Sequence, residues 1–308
     1  MKISQVIPVV GVMLASVALL SGQPRCQAQT IFPTAHTFFN NVPYVSGGTT
    51  RQVMDIYIPV GATGPVPVVL YIHGGGWNQG AAENSINDWD QLGQGSFAIA
   101  AVNYRLNTVV EPLVTQVDDM KAAIRFVKAN ATAYGIDATK VGVMGQSAGA
   151  HLSGLAALSS DLAFLGSASD LANTQNLSFS SDVQAVVSWA LPPIPPSGNQ
   201  TLTLSTYIGS GDPDFQMFHS VDDLTVNISF PRNFRNSMIA AGLGVTLSEI
   251  SGNHFPSETT RDTFAPVIVT YFNQEFAAIP EPSTGLLIGG SVFAAIILGS
   301  RKMRLHNR

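Results

Sequence analysis

The sequence predicts an α/β protein with a mainly parallel central sheet and helices on both faces. Short apolar runs rich in branched residues alternate with helical patterns along the chain. No internal repeat or sharp change of composition divides residues 29–279, and the Pro-rich stretch 191–200 reads as a loop within one domain. Those 251 residues, in a chain that is 45% apolar, are enough to bury a large core.

Each element has its own justification. Strand candidates are 53–58 (VMDIYI), 66–72 (VPVVLYI), 97–102 (FAIAAV), 141–144 (VGVM), 185–189 (AVVSW), 214–218 (DFQMF) and 245–250 (VTLSEI). Val117, Met120, Ile124 and Val127 recur at three- and four-residue steps, so 112–130 reads as an amphipathic helix, with Pro112 near its start and Gly135 beyond its end. Asp118, Asp119, Lys121, Arg125 and Lys128 give that helix a charged face with a structural role. Residues 148–158 and 232–241 are further helices. A last one at 262–276 has Asp262 as its cap and Pro266 in its first turn.

The two ends read differently from the body. Residues 6–20 are uncharged, follow Lys2 and precede a small-residue cleavage pattern at 26–28, so 1–28 is expected to be a secretory signal peptide. Residues 283–300 are again uncharged, would rise about 27 Å as a helix against a hydrocarbon core of about 30 Å, and are followed by Arg301, Lys302 and Arg304. The positive-inside bias would then place the body outside the cytoplasm. Between the ends, 9 basic residues face 19 acidic ones, a net charge of −10, which excludes a basic nucleic-acid footprint. The only cysteine, Cys26, falls in the expected leader, which excludes disulfide, thiolate-metal and cysteine-nucleophile chemistry from the mature body. The Asn/Asp-rich stretch 84–90 lacks the spacing and closing glutamate of a calcium loop, so neither metal nor cofactor is expected.

Chemistry belongs at the carboxyl ends of the strands in such a sheet. Gly145-Gln146-Ser147-Ala148-Gly149 follows one strand and opens a helix, the setting of a G-x-S-x-G nucleophile elbow that presents the Ser147 hydroxyl. A serine hydroxyl needs a neighbouring imidazole to take its proton. His73-Gly74-Gly75-Gly76-Trp77 follows another strand. The N–H groups of Gly75, Gly76 and Ala148 are the expected donors to a developing oxyanion, and Trp77 is an expected wall of the substrate pocket. Within the body, the histidines beyond Ser147 are His151, one turn along the same helix and expected to pack behind the elbow, then His219 and His254.

These segments, with VNYRL at 102–106, YGID at 134–137 and GQSAGAHLSGLAAL at 145–158, resemble the α/β-hydrolase esterases of the hormone-sensitive-lipase and feruloyl/acetyl-xylan-esterase-like group. The resemblance runs over most of the body and implies the order nucleophile, acid, histidine. It makes His254, in the loop after the strand at 245–250, the histidine of the triad. For the acid it matches His219-Ser220-Val221-Asp222-Asp223 to the family's pattern, with Ser220 standing where glycine is usual. That register selects Asp223; a slip of one residue would select Asp222, and Asp212 and Asp214 are weaker rivals.

The implied activity is hydrolysis of small-acyl or saccharide esters through an acyl-enzyme. Arylformamide hydrolysis on the same scaffold and an inactive surface or matrix protein are the alternatives. Residues 280–308 resemble a PEP-CTERM sorting signal: Pro280-Glu281-Pro282, a hydrophobic helix, then a basic end. That resemblance implies passing membrane contact through the helix, processing by an exosortase and delivery to the cell surface or extracellular matrix.

Overall fold

The computed structural model describes residues 25–26, 32–106, 113–159, 170–193 and 202–279. Nine strands among them form one sheet: β1 (Arg25–Cys26), β2 (His36–Pro43), β3 (Val53–Pro59), β4 (Val66–Ile72), β5 (Ala98–Val102), β6 (Ile136–Gln146), β7 (Ala185–Trp189), β8 (Asp214–Ser220) and β9 (Val245–Ile250). Their spatial order is β1-β2-β3-β5-β4-β6-β7-β8-β9. From β5 to β9 every pairing is parallel, whereas β1, β2 and β3 form an antiparallel edge. β1 lies within the expected leader.

Alternation along the central strands divides the core in two, because successive side chains point to opposite faces. Val68, Leu70 and Ile72 of β4 join one cluster, with Val117 and Ile124 of α2 (Leu113–Ala129) and Leu152 and Leu155 of α4 (Ala148–Leu158). Val69 and Tyr71 join the other, with Trp89 and with Ile268, Phe272 and Phe276 of α6 (Glu258–Ala278). Both faces of the sheet are therefore dry, which is why these strands read as continuous apolar runs. Two short helices, α1 (Ala82–Ile86) and α3 (Ala131–Tyr134), and the longer α5 (Ser229–Ala240) complete the set.

Three sequence expectations change. The strand His36–Pro43 has no counterpart among the candidates; its alternation is broken by a bulge at Asn41, whose φ is +50° and whose N–H donates to Asp55 Oδ1 at 2.7 Å. The last helix starts at Glu258, capped by Ser257, whose hydroxyl accepts from Thr260 N–H at 3.1 Å. Pro266 therefore lies in the helix interior, on the exposed side, where water can satisfy the carbonyl it leaves unpaired. The charged face of α2 is buried. Asp119 accepts from Arg105, which also pairs with Asp170, and from Gln52. Arg125 caps the Ala172 carbonyl at 2.8 Å and Lys128 that of Asp182 at 2.6 Å. These partners come from segments remote in sequence, so the charges are met inside the fold and not by water.

The parallel register sets the ends of β4, β6, β7, β8 and β9 side by side: Ile72 pairs with Gly145, Gln146 with Trp189, Trp189 with Phe218, and Ser220 with Ile250. The loops that follow them converge on one rim. Among the described residues no helix is long and apolar enough to cross a membrane. The stretch 283–300 and most of the leader lie outside the described residues.

Candidate active site

Ser147 occupies the single residue between β6 and α4, at φ +55° and ψ −121°. Such a backbone costs about 1–3 kcal/mol for a residue with a side chain and persists only where the surroundings impose it. Here the Ser147 N–H donates to the Trp189 carbonyl at 2.8 Å, and its own carbonyl accepts from His151 N–H at 3.2 Å. The helix also passes too close to the strand for side chains at the flanking positions. A Cβ on Gly145 would stand 2.2 Å from the Gly149 carbonyl oxygen, and one on Gly149 2.2 Å from that of Ile72.

From this turn Ser147 Oγ meets His254 Nε2 at 2.8 Å, and His254 Nδ1 meets Asp223 Oδ2 at 2.7 Å. An ionised carboxylate only accepts, so Nδ1 carries the proton and Nε2 is left to accept from the serine hydroxyl. The Asp223 side chain is fully buried, and its Oδ1 accepts the N–H groups of Thr225 at 2.8 Å and Val226 at 2.9 Å. Asp222 turns instead toward Gly252 N–H at 3.3 Å and is exposed. Asp212 accepts from Gly209 N–H within a local turn, and Asp214, at the start of β8, accepts from Gly244 N–H beside β9.

His219 donates from Nε2 to the Val226 carbonyl at 2.8 Å, bracing the acid turn, with its pKa held down by burial. His151 is wholly buried, donates to the Leu202 carbonyl at 2.8 Å and has its pKa pushed down to about 4 by burial. Each of these rings hydrogen-bonds a backbone carbonyl, whereas the Ser147 hydroxyl meets His254.

Ser220, at the position where glycine is usual in the resembled family, has no positive φ that would demand glycine. Its hydroxyl donates to the Gly252 carbonyl and accepts from Asp222 N–H at 3.2 Å.

The glycine loop lies against the elbow: a Cβ on Gly74 would stand 3.3 Å from Ser147 Cβ. Gly75 has φ +119°, and a Cβ there would collide with the Gln79 carbonyl oxygen at 2.1 Å. The loop closes through Asn78 and Gln79 N–H groups on the Gly75 carbonyl. Neither Gly75 nor Gly76 N–H has an acceptor among the described residues. Ala148 opens a helix, where the first N–H groups have no intrahelical partner. Trp77 departs from its expected place. Its φ of +64° and the bond from Gln116 to its carbonyl, 2.6 Å, turn the indole into the core, where it packs edge-on against His151 at 5.5 Å.

Sequence reasoning passed over the residues that hold this loop. Tyr104 stacks on His73 at 4.3 Å and donates its hydroxyl to the His73 carbonyl at 2.9 Å. Arg51 reaches His73, Gly80 and Tyr104 from the turn before β3. A lone arginine in a polar turn carries no local signal. Among the described residues no three His, Cys, Asp or Glu side chains gather where a metal could be held.

A family model described as BD-FAE matches residues 54–193. Among curated proteins, the probable isoprenylcysteine alpha-carbonyl methylesterase ICMEL1 of Arabidopsis thaliana is 35% identical over 108 residues, 35% of this chain and 22% of the relative. Carboxylesterase NlhH of Mycobacterium tuberculosis is 35% identical over 111 residues, 36% of this chain and 34% of the relative. The matched stretch thus spans about a fifth to a third of these relatives' length.

Among solved structures, a truncated carbohydrate esterase from gut microbiota superposes with a TM-score of 0.70 at 24% identity, covering 78% of this chain and 96% of that one. A thermophilic esterase of Thermogutta terrifontis gives 0.60 at 22% identity, covering 73% and 87%. The fold is that of the α/β-hydrolases. In α/β-hydrolase terms, Ser147 occupies the strand-to-helix elbow, the glycine loop follows β4, and Asp223 and His254 follow β8 and β9.

Proposed function

We propose that this protein is a serine hydrolase of carboxylic esters that works through an acyl-enzyme. The observation that carries the reading is the relay Asp223–His254–Ser147, at 2.7 and 2.8 Å, ending on a serine held at positive φ. His254 takes the hydroxyl proton as Ser147 Oγ adds to the ester carbonyl. The carbonyl oxygen becomes an oxyanion facing the N–H groups of Gly75, Gly76 and Ala148, and each such donor lowers a barrier by roughly 3–4 kcal/mol. Collapse of the tetrahedral species breaks the bond to the alcohol oxygen, which leaves with the proton from His254. Water, deprotonated by the same ring, then attacks the acyl-enzyme, and the carboxylic acid departs as Ser147 regains its proton. Asp223 holds the Nδ1–H tautomer and stabilises the imidazolium.

The substrate class we assign is an ester of a small acyl group on a small molecule or saccharide. The methylesterase, carboxylesterase and carbohydrate-esterase names of the similar proteins support ester hydrolysis, and the last of them supports a saccharide ester. We assign residues 1–28 to export and 280–308 to a PEP-CTERM signal, a substrate for an exosortase, on the sequence order alone. Labelling by a fluorophosphonate probe tests the mechanism: the modified peptide is expected to contain Ser147, and Ser147→Ala is expected to lose both label and turnover of a short aryl ester. Undiminished turnover in a pure Ser147→Ala preparation overturns the reading.

A further inference from the structure

We propose that Arg51 is a positioning residue for the oxyanion donors, acting through His73 on the Gly74–Gly75 peptide. The inference rests on the esterase reading above. The guanidinium donates from Nε to the Tyr104 carbonyl at 3.1 Å, and from Nη2 to the Gly80 carbonyl at 2.9 Å and to His73 Nε2 at 3.2 Å. Its two Nη2 acceptors stand at the two ends of the glycine loop, so one planar group fixes where the loop leaves β4 and where it closes.

The chemistry of the bonds fixes a direction as well. A guanidinium only donates, so His73 Nε2 is the unprotonated nitrogen; a carbonyl only accepts, so Nδ1 carries the proton that binds the Gly74 oxygen at 2.6 Å. The ring is wholly buried, and burial pushes its pKa down to about 4, which keeps it neutral and in this one tautomer near neutral pH. The Gly74–Gly75 peptide is trans, and in a trans peptide the C=O and N–H project to opposite sides. Tying the Gly74 oxygen to the imidazole therefore aims the Gly75 N–H away from it, to the side where no acceptor is found among the described residues.

The same loop touches the elbow at Gly74, so this free donor belongs to the surroundings of Ser147. A cation, an imidazole and a carbonyl in line also polarise one another, which strengthens the terminal N–H as a donor. Lysine has the charge but not the fork, and it cannot hold three acceptors in one plane.

Active-site titration with a fluorophosphonate, followed by kinetics per titrated site, tests this in the full protein with Arg51→Met and Arg51→Lys. In Arg51→Met, kcat per site is expected to fall about tenfold or more, up to the roughly 10²–10³-fold loss that follows removal of a whole oxyanion donor, with KM nearly unchanged. Affinity for a trifluoromethyl ketone, which forms a tetrahedral oxyanion on Ser147, is expected to fall by the same factor, and Arg51→Lys to lie between. If the variants lose only titratable sites, while kcat per site and ketone affinity stay at wild-type values, Arg51 serves the fold alone and the inference fails. A wild-type protein that neither titrates nor hydrolyses esters overturns the esterase reading and the inference with it.

Discussion

The hydroxyl of Ser220 donates to the carbonyl oxygen of Gly252, joining the loop that carries Asp223 to the loop that carries His254. The bond lies three residues before Asp223 and two before His254, so it restrains their mutual distance. Val221 N–H on the Ile250 carbonyl, at 2.8 Å, is the neighbouring tie.

Ser220→Ala is expected to lower stability by about 1 kcal/mol, the usual net worth of one hydrogen bond, and to lower kcat severalfold as the two loops drift. Urea denaturation and ester kinetics on the same samples check both. A variant with lower stability and wild-type kcat would show that the bond serves the fold and not the relay.

Asp223→Asn is expected to cut kcat by orders of magnitude, because the amide favours the wrong imidazole tautomer. Asp222→Asn is expected to cost little, since that side chain is exposed and bonds only Gly252 N–H. Side-by-side kinetics decide; a larger loss from Asp222→Asn would contradict the 2.7 Å contact of Asp223 with His254.

Acid should destabilise the protein through two buried histidines. His73 and His151 have folded-state pKa values pushed down to about 4 by burial, against an ordinary 6.5. Between those limits the unfolded chain binds more protons than the folded one, so unfolding free energy falls as pH falls, by up to about 3 kcal/mol per histidine. Urea unfolding at pH 7 and pH 5 measures it. His151→Gln, which keeps a donor for the Leu202 carbonyl, should give a shallower pH dependence; an identical slope would rule out His151 as a contributor.

Mass spectrometry of the host envelope and medium is expected to find peptides from residues 29–279 and none from 286–300, if the tail is cut near Pro280-Glu281-Pro282. An intact tail in the mature protein would make it a plain membrane anchor.

Local pattern determined much of this molecule. The elbow at 145–149, the glycine loop at 73–76 and the central strands announce themselves, because a turn needing glycine and a strand dry on both faces leave marks within a few residues. His254 and Asp223 were reached only through family resemblance, since a loop histidine and one of two adjacent aspartates have no local signature.

Tertiary structure alone decided that Trp77 lies in the core, that the charges of α2 are buried against remote partners, and that Ser220 and Arg51 hold the loops of the site. The reason is physical. A side chain's partners depend on which distant segments the parallel register sets beside it, and that register is fixed by burial across the whole sheet, not by the residues on either side of any one position.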